Sequence, residues 1–431
     1  MKFPCKTLFA GLTCLTFLPF SRAEIAFAPA ANFPVVDEPF SVVATDVNGD
    51  GKVDLAIGSS AVPEVRVLTN NGFGSFVISA TNVVGNFPRS IAAADFNADG
   101  WSDLVTANNT VDTLSVLTND KSGRFVLSSS PLVGVLPNFV TAADLNGDTK
   151  PDLVAVSSGS SSLTILTNNG NGQFVLASTP AVGNYPISVA LADVNGDSRP
   201  DLISANFQAN SLSVLTNGSN GIFNLRTTIA VGRSPASVVS ADVNGDTRVD
   251  LICANYDDDT LTVLTNSGTG LFALAVLPGV GNGPGSVTAA DVDANGKPDL
   301  ICANLLASTV SVLTNSGSNF TSVLSPAVGL SPSAIVAADV NADRKVDLVT
   351  ANSGGDSVSV LVNVPVLRIA KLGPNALVSW PASWTNWVLQ QKISLNSGTW
   401  SVAGGVANDG TNQSITAPSN GGNLFFRLAY P

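Results

Sequence analysis

Residues 46–54 read DVNGDGKVD, and this pattern of acidic and amide residues returns six more times along the chain. The further copies are DFNADGWSD (95–103), DLNGDTKPD (144–152), DVNGDSRPD (193–201), DVNGDTRVD (242–250), DVDANGKPD (291–299) and DVNADRKVD (339–347). Successive copies begin 49 residues apart, except for the last two, which begin 48 apart. A period of roughly 40–50 residues indicates one structural unit per repeat and is typical of propeller blades.

Each repeat also contains four short strand signals. In the second repeat they are SIAAAD, DLVTAN, TLSVLTN and RFVLSSS, with the acidic segment between the first two. Alternation and β-branched residues favour strands, and clusters of Gly, Asn and Pro separate them. Charged residues make up only 12% of the chain, which carries 38 glycines and 24 prolines. We therefore predict an all-β fold, a seven-bladed β-propeller.

The two ends of the repeat array predict how the ring closes. A phenylalanine marks the fourth strand of six repeats, at Phe76, Phe125, Phe174, Phe223, Phe272 and Phe320. The seventh repeat ends at SVSVLVNV (357–364) without one, whereas Phe27 lies 49 residues before Phe76. We expect an N-terminal strand within residues 24–35 to complete the last blade and leave no open sheet edge there.

The repeated acidic segment has the composition of a calcium loop. Oxygen side chains occupy positions 1, 3, 5 and 9, and position 7 can offer its backbone carbonyl, as in the first part of an EF-hand. The EF-hand pattern then stops, because position 12 of the first loop is Ile57 and a strand follows at once. The predicted ligands are Asp46, Asn48, Asp50, Lys52 and Asp54; Asp95, Asn97, Asp99, Trp101 and Asp103; Asp144, Asn146, Asp148, Lys150 and Asp152; Asp193, Asn195, Asp197, Arg199 and Asp201; Asp242, Asn244, Asp246, Arg248 and Asp250; Asp291, Asp293, Asn295, Lys297 and Asp299; and Asp339, Asn341, Asp343, Lys345 and Asp347.

Charge supports about seven structural calcium ions. The loops hold 21 of the 32 acidic residues, and three carboxylates at short range repel one another without a cation. We therefore expect folding to be coupled to calcium binding. The alternative is a set of metal-free turns rich in Asp and Asn. Thr, Ser or Arg replaces Gly at position 6 of several loops, which predicts strain in those turns but removes no ligand.

The seven copies of DxNxDxxxD resemble the FG-GAP and VCBS repeats, a family that includes the head of integrin α subunits and many secreted bacterial proteins. The resemblance covers residues 24–364. It implies the propeller fold, calcium at the loop residues listed above, and adhesion or ligand binding outside the cell. It does not indicate which ligand is bound.

Residues 1–23 have the features of an export signal. Lys2 and Lys6 precede an apolar run too short to span a membrane, and small residues allow cleavage after Ala23. A lipoprotein signal that uses Cys14 is the lesser alternative. The mature chain is predicted to be a soluble monomer, secreted or on the cell surface, with no membrane span. Its two cysteines, Cys253 and Cys302, are interpreted as small buried apolar residues rather than a disulfide framework.

Residues 365–431 lack the repeat and carry four of the five tryptophans, at positions 380, 384, 387 and 400. The segments ALVSW, NWVLQQ, TWSVAG, NQSITAP and NLFFRLAY predict a β-sandwich of about six strands. This region is similar to the fibronectin type III-like modules that end many secreted bacterial proteins. We expect its tryptophans to pack in the core, with a sugar-binding platform as the alternative.

A partner is expected on the propeller face opposite the calcium loops. Connections between the second and third strands and between repeats lie on that face, and they vary most from repeat to repeat. The ligand-binding candidates are Tyr185, Phe207, Tyr256 and Asp257. The weaker candidates are Phe87, Arg89, Arg233, Asp258 and Asp259. Each of these could instead be an ordinary turn residue.

Residue chemistry disfavours catalysis. The chain has no histidine, which excludes serine–histidine triads and histidine-ligated zinc. Eleven acidic residues remain outside the loops, and among them only Asp112, Asp257 and Asp356 suggest a glycosidase-like pair. We expect a non-catalytic binding or adhesion module for a glycan or protein. The alternatives are a purely structural surface protein and a carbohydrate-active enzyme, either a glycosidase or a polysaccharide lyase. Nucleic acid is an improbable partner for so acidic a chain.

Overall fold

The computed structural model describes residues 25–218, 221–317, 319–382, 384, 387–393, 399–410, 412–418 and 424–429. The predicted export signal, residues 1–23, and Cys14 within it lie outside these residues. The chain divides into two compact units, one formed by Pro29–Val362 and one formed by the chain up to Ala28 together with Asn363–Pro431. All regular structure in the described residues is β-strand.

The repeats form four-stranded antiparallel sheets, seven of them among the described residues of the larger unit. Two N-terminal strands precede the first repeat: β1 (Ala26–Phe27) and β2 (Ala31–Pro34). The next strands are β3 (Pro39–Thr45), β4 (Asp54–Ser59), β5 (Glu64–Asn70), β6 (Phe76–Val83); β7 (Pro88–Ala94), β8 (Asp103–Asn108), β9 (Thr113–Asn119), β10 (Phe125–Ser129); β11 (Pro137–Ala143), β12 (Asp152–Ser157), β13 (Ser162–Asn168), β14 (Phe174–Ser178). They continue with β15 (Pro186–Ala192), β16 (Asp201–Asn206), β17 (Ser211–Asn217), β18 (Phe223–Ala230); β19 (Pro235–Ala241), β20 (Asp250–Asn255), β21 (Thr260–Asn266), β22 (Phe272–Val276); β23 (Pro284–Ala290), β24 (Asp299–Asn304), β25 (Thr309–Asn315), β26 (Phe320–Leu324); β27 (Pro332–Ala338), β28 (Asp347–Asn352), β29 (Ser357–Leu361) and β30 (Asn363–Val364).

Six of these sheets take their four strands from one repeat in sequence order. The other is ordered β2-β29-β28-β27, so the N-terminal strand completes the sheet of the seventh repeat. In the smaller unit, β1 pairs with β30, and Phe27 lies opposite Asn363 as Phe76 lies opposite Asn70 in the first sheet. The spacing of 49 residues predicted Phe27 within the strand that completes the last sheet; the structure instead places Phe27 in β1, and β2 completes that sheet.

Apolar side chains pack between neighbouring sheets. The second strand of every repeat is buried along its whole length, because it is covered on both faces. One core cluster joins Val65 and Val67 of the first sheet to Leu104 and Leu117 of the second. Another joins the seventh sheet to the first through side chains that include Val349 and Leu55. The repeats thus share their hydrophobic cores with their neighbours.

Both cysteines of the described chain lie within second strands. Cys253 and Cys302 are fully buried and unbonded to each other, and burial raises the pKa of each thiol far above its usual range. The prediction that they act as small apolar core residues is confirmed.

The smaller unit has two further sheets. Its strands are β31 (Arg368–Leu372), β32 (Asn375–Pro381), β33 (Val388–Lys392), β34 (Ser401–Val402), β35 (Ala407–Asn408), β36 (Asn412–Pro418) and β37 (Phe425–Ala429). They are ordered β31-β32-β36-β35 and β34-β33-β37. Trp380 is buried in the core of this unit, and Trp384 and Trp387 pack against that core. Trp400 lies 4.4 Å from the Arg427 guanidinium. Core packing was the favoured role for the tryptophans, and Trp380 has that role.

No helix in the described part of the chain has the length and apolarity needed to cross a membrane.

Candidate functional site

The seven acidic segments all connect the first strand of a sheet to the second. In the first repeat, β3 ends at Thr45, the loop begins at Asp46, and Asp54 is the first residue of β4. The positions predicted as ligands therefore share one tight loop at one end of every sheet, as the sequence indicated. The turn between the third and fourth strands lies at the same end, since Gly72 approaches the side chain of Lys52.

The aspartate at position 9 of each loop is fully buried, and its two oxygens hold the loop to the sheet. Asp54 accepts hydrogen bonds from the backbone N–H of Asn70 (2.8 Å) and Val47 (3.2 Å). Burial raises the pKa of this carboxyl. The two N–H groups lower it in part, and the neighbouring aspartates Asp50 and Asp46 raise it further. The same causes raise the pKa of Asp103 and Asp299 to about 6. These carboxyls are costly to ionise unless a cation accompanies them.

The aspartate at position 1 accepts backbone hydrogen bonds from inside its own loop. Asp46 Oδ1 accepts from the N–H of Gly49 (2.7 Å), and Oδ2 accepts from the N–H of Gly51 (2.8 Å). Asp144 and Asp193 repeat this pattern with the equivalent residues. Position 1 thus fixes the curvature of the loop. In Asp46 and Asp144, Oδ1 accepts two or three backbone N–H groups, and Oδ2 accepts one and so retains a lone pair for a further partner.

In the first five loops, the aspartate at position 5 lies beside a cation that the charge argument from sequence overlooked. Lys52 Nζ is 3.3 Å from Asp50, and Arg199 Nη2 is 2.7 Å from Asp197, so the side chain at position 7 pairs with position 5. The second loop has tryptophan at position 7, and there Lys121 supplies the cation, 3.6 Å from Asp99. These pairs are exposed and offset only part of the repulsion within each loop.

The sixth loop gathers three carboxylates most closely. Oxygens of Asp291, Asp293 and Asp299 all lie within 4.8 Å of one another, and no other trio of acidic or cysteine side chains in the described residues meets that distance. This loop has aspartate at position 3, where the other six have asparagine, whose amide oxygen is also a ligand for hard cations. An all-oxygen set of this kind fits calcium. In the first, third, fourth and fifth loops, backbone N–H groups and the position 7 cation hold the aspartates.

Positions 4 and 6 of the loops adopt left-handed backbone conformations. The residues that replace glycine at position 6 have φ of 69° (Thr149 and Thr247), 64° (Ser198) and 67° (Arg344), so the predicted strain is present. Position 4 has the same conformation, with φ of 59° at Ala98 and 83° at Gly147. The sequence reading missed the strain at position 4.

An asparagine at the end of the third strand joins neighbouring sheets, and this role was not foreseen. Asn119 Nδ2 donates to the carbonyl of Ser102 in its own sheet (3.0 Å) and to that of Val47 in the preceding repeat (2.8 Å). Asn70 makes the corresponding bond to the carbonyl of Val340, which links the first repeat to the seventh (2.8 Å). The equivalent bonds from Asn168, Asn217, Asn266 and Asn315 also reach the preceding repeat. A polar residue returning at the same place in the LTN segment of these repeats was the available signal.

The opposite ends of the first strands surround a cavity of about 440 Å³. Every first strand has a β-bulge after its leading proline, as between Pro88 and Ser90 in β7. A bulge turns consecutive side chains towards one side, where regular alternation would separate them. The two residues after each proline therefore both line the cavity: Phe40 and Ser41, Arg89 and Ser90, Asn138 and Phe139, Ile187 and Ser188, Ala236 and Ser237, Gly285 and Ser286, Ser333 and Ala334.

Three of the four predicted ligand-binding residues line this cavity. Tyr185, Phe207 and Tyr256 come from connections at this end of the sheets, and Leu305 joins them. The ring centroids are 6.4 Å apart for Tyr185 and Phe207, and 6.3 Å apart for Phe207 and Tyr256. The structure brings these rings together as one aromatic wall.

Asp257 does not line the cavity. Its Oδ2 accepts a hydrogen bond from the Ser234 hydroxyl (2.5 Å), while Asp258 pairs with Arg233 (2.6 Å). Asp259 accepts from the backbone N–H of Gly283 (2.8 Å). The acidic run thus holds the connections between repeats in place.

The structure does not bring together the carboxylates considered as a catalytic pair. Asp112 accepts from the backbone N–H of Leu136 (2.9 Å), and Asp356 accepts from that of Glu38 (2.9 Å). Leu136 and Glu38, whose N–H groups donate these bonds, both have positive φ, 54° and 48°. The two aspartates serve as caps for strained turns in different repeats, and neither they nor Asp257 is among the cavity-lining residues.

Arg89 is the one charged residue in the cavity lining. Its guanidinium stacks over the ring of Phe40 (4.4 Å) and donates from Nη1 to Asn138 Oδ1 (3.3 Å). Burial lowers the pKa of Arg89, partly offset by the nearby Tyr185. Arg89 was a weaker candidate in the sequence, and the structure places it deeper in the cavity wall than a turn residue would lie.

Six overlapping segments of the chain match the family model described as "FG-GAP-like repeat", at residues 46–106, 95–155, 144–204, 193–253, 242–302 and 292–350. The chain belongs to the FG-GAP-like repeat family. The matched segments of this FG-GAP-like protein extend over residues 46–350, and each begins at an acidic loop or, in the last case, one residue after its start. A search of curated proteins finds no match to it.

Solved structures share the fold at low sequence identity. This FG-GAP-like chain is similar to BBS1N, crystallised in complex with ARL6DN and soaked with lead, at 13% identity and a TM-score of 0.57, over 79% of this chain and 97% of that one. A mercury-soaked crystal of the same complex gives 14% identity, a TM-score of 0.57 and coverage of 78% and 96%. Catalytically inactive virginiamycin B lyase from Staphylococcus aureus, with quinupristin, gives 14% identity, a TM-score of 0.54 and coverage of 79% and 100%.

Proposed function

We propose that this protein is a calcium-stabilised, seven-bladed β-propeller that acts outside the cell as a non-catalytic binding or adhesion module for a glycan or protein. The observation that carries this proposal is the 440 Å³ cavity, which takes lining residues from all seven sheets and has an aromatic wall. Concave sites with an apolar wall and few polar groups are typical of ligand sites.

Ring closure is supported by contacts between the first and last repeats. The first strands of successive sheets contact one another, and β27 of the seventh repeat contacts β3 of the first. The core cluster shared by these two repeats and the bond from Asn70 to Val340 repeat the joints found elsewhere. Each sheet is then one blade, and the cavity lies on the axis of the ring.

About seven structural calcium ions are supported by the chemistry of the loops. Positions 1, 3, 5 and 9 bring oxygen side chains to one tight turn, and the position 9 carboxyls are buried with raised pKa values. Calcium at these side chains and at the position 7 carbonyl would offset the cost of ionising them. Its role is structural, because the loops lie at the opposite ends of the first strands from the cavity.

Secretion or surface attachment is proposed from the sequence of residues 1–23 together with the calcium loops. Calcium is abundant outside cells, so an export signal and several calcium sites in one chain are consistent with each other. The module at 365–431, which we propose to be fibronectin type III-like, would serve attachment or spacing.

Binding without turnover is supported by the cavity lining. The residues that line it, all of them described, include no carboxylate and no cysteine. Hydroxyl groups, Asn138 and Arg89 are suited to recognition, and an acid–base pair of the glycosidase type needs two carboxyls.

The test is a glycan and protein array probed with the purified mature chain in calcium, followed by cleavage assays on every ligand found. We expect binding that is weakened by Phe207→Ala and Tyr256→Ala, with no product released. An inert array with a folded protein would favour a purely structural role. Cleavage that disappears in Tyr185→Phe would show an enzyme.

A further inference from the structure

The cavity has two chemically different walls. The fourth to sixth sheets contribute Phe207, Tyr256, Leu305 and Ile187, together with the small residues Ala236 and Gly285. The first to third sheets contribute Arg89 and Asn138, beside Phe40 and Phe139. A ligand that fills this space must offer an apolar face to one wall and polar atoms to the other.

The polar wall has donors that lack acceptors. Arg89 Nε and Asn138 Nδ2 are buried, and neither has a hydrogen-bond partner in the structure. Asn138 is only 8% exposed, so water does not readily satisfy its amide. Among the described residues, no carboxylate lies within 4.0 Å of the Arg89 guanidinium, although exposed arginines elsewhere in the chain have acidic partners. Buried donors without partners cost stability, and an acceptor placed against this wall would relieve that cost.

The unsatisfied groups specify the chemistry of that ligand. Guanidinium and amide N–H groups only donate, and a carboxylate offers two acceptor oxygens that form short, charge-assisted bonds with arginine. The aromatic wall is suited to the C–H face of a sugar ring. The flat aromatic side chains cover that face closely, while the hydroxyls at the edge of the sugar stay free to form hydrogen bonds. The volume of about 440 Å³ accommodates one or two such rings. Resting on the proposed binding function, we propose that the cavity binds a uronic-acid residue of an acidic glycan, with its carboxylate on Arg89 and Asn138 and its ring face against Phe207 and Tyr256.

The acidic loops do not prevent this. Arg89 lies near the start of β7, and the loop begins at Asp95, six residues further along the same strand. At about 3.3 Å per residue the separation is about 20 Å, more than two Debye lengths at physiological ionic strength. The charge of Asp258 is paired with Arg233. The loop aspartates therefore oppose an anionic ligand at Arg89 only weakly.

The experiment uses the whole mature protein in calcium. Isothermal titration calorimetry measures its affinity for trigalacturonate, triglucuronate and the methyl ester of trigalacturonate. We expect the acids to bind at least tenfold more tightly than the ester, which keeps the ring and loses the charge. Arg89→Gln should lower affinity for the acids at least tenfold. Arg226→Gln, which removes an exposed arginine on β18, is the matched control and should leave affinity unchanged.

Other variants keep the proposal falsifiable if Arg89→Gln unfolds. Phe207→Ala should weaken the acids and the ester alike, whereas Asp257→Asn should bind the acids at least as tightly as the wild type. Equal affinity for acid and ester, or full affinity in a folded Arg89→Gln protein, would overturn the proposal. So would tighter binding of a tripeptide carboxylate such as Gly-Gly-Phe. A neutral glycan found on the array and unaffected by Arg89→Gln would leave the proposed binding function in place and remove only the uronate.

Discussion

The two ends of the first strands differ in how strictly the seven repeats keep their residues. At the end that leads into the acidic loop, positions 1, 3, 5 and 9 carry oxygen side chains in every repeat. At the other end, the residue after the bulged proline is Phe, Arg, Asn, Ile, Ala, Gly or Ser in turn. The loop end also repeats its hydrogen bonds, including the asparagine that reaches the preceding repeat.

On the proposed binding function, this difference separates scaffold from recognition within one chain. A joint that recurs in every repeat is best made with the same residues, so repetition marks structure. A ligand that lacks the symmetry of the repeats cannot be oriented by identical side chains, so variation among equivalent positions marks the proposed binding site. Arg89 illustrates the second case, because no other repeat has a charged residue at its position.

Removing calcium should produce the largest loss of stability, because the proposed ions lie in the acidic loops at one end of every sheet. We expect a chelator to lower the melting temperature by an amount on the order of 10 °C or more, since each site filled at 100 times its Kd adds about 2.7 kcal/mol. Magnesium should restore it poorly, because it requires a smaller octahedral shell. Scanning calorimetry with calcium, magnesium and chelator checks this. An identical melt in all three would break the comparison, because the loops would then be metal-free turns.

Acidification should partly replace calcium. The pKa of Asp103 and of Asp299 is raised from 3.8 to about 6 in the folded protein, so between these values the folded state binds more protons than the unfolded state. Stability of the metal-free protein is therefore highest at low pH within this window and falls as pH rises through about 6, by roughly 3 kcal/mol for each carboxyl.

The measurement is the melting temperature at pH 5, 6 and 7, with calcium and with chelator. We expect the chelated protein to gain stability from pH 7 to pH 5, while the difference between calcium and chelator shrinks because protons compete with the metal. Loss of stability on acidification in chelator would contradict the raised pKa values.

Much of the scaffold could be predicted from the sequence because its signals are local. Strand alternation, turn residues and the phenylalanine that begins the fourth strand of six repeats are each set by a few neighbouring residues. The prediction of an N-terminal strand that completes the seventh sheet followed from the repeat spacing, and β2 is that strand. The loop ends of the sheets could also be distinguished from the opposite ends, since an antiparallel meander alternates them.

The cavity could not be read from the sequence in the same way. Alternation would place Arg89 and Ser90 on opposite faces of β7, and the bulge after Pro88 places both on the cavity wall. The bond from Asn168 to the carbonyl of Phe96 spans 72 residues; the repeated asparagine indicates that the position matters, but no local pattern identifies its partner. The count of acidic residues in each loop left out the Lys and Arg side chains at position 7. Their position in the sequence does not show that they lie beside the position 5 carboxylate.

The asparagine joint offers a test between adjacent residues. Asn168 is buried and donates to the carbonyls of Phe96 (2.9 Å) and Pro151 (3.0 Å), whereas Asn169 is exposed. Asn168→Ala leaves the Pro151 carbonyl without its donor, whereas the Phe96 carbonyl keeps the backbone N–H of Gly172 (3.1 Å). The change should therefore lower the free energy of unfolding by about 2 kcal/mol. Asn169→Ala should cost less than about 1 kcal/mol. Urea unfolding in calcium measures both, and equal losses would show that the joint between repeats does not depend on this side chain.

The smallest expected effect tests the backbone of the loops. Ala98 and Gly147 occupy position 4 of neighbouring loops and share a left-handed conformation, with φ of 59° and 83°. Gly147→Ala meets open space, so its expected loss of about 1 kcal/mol comes from backbone strain rather than from a clash. Ala98→Gly should stabilise the protein by up to about 1 kcal/mol, less the entropy that glycine adds to the unfolded chain. Urea midpoints in saturating calcium should therefore move in opposite directions. Two shifts of the same sign would mean that metal binding, and not the backbone, sets the conformation at this position.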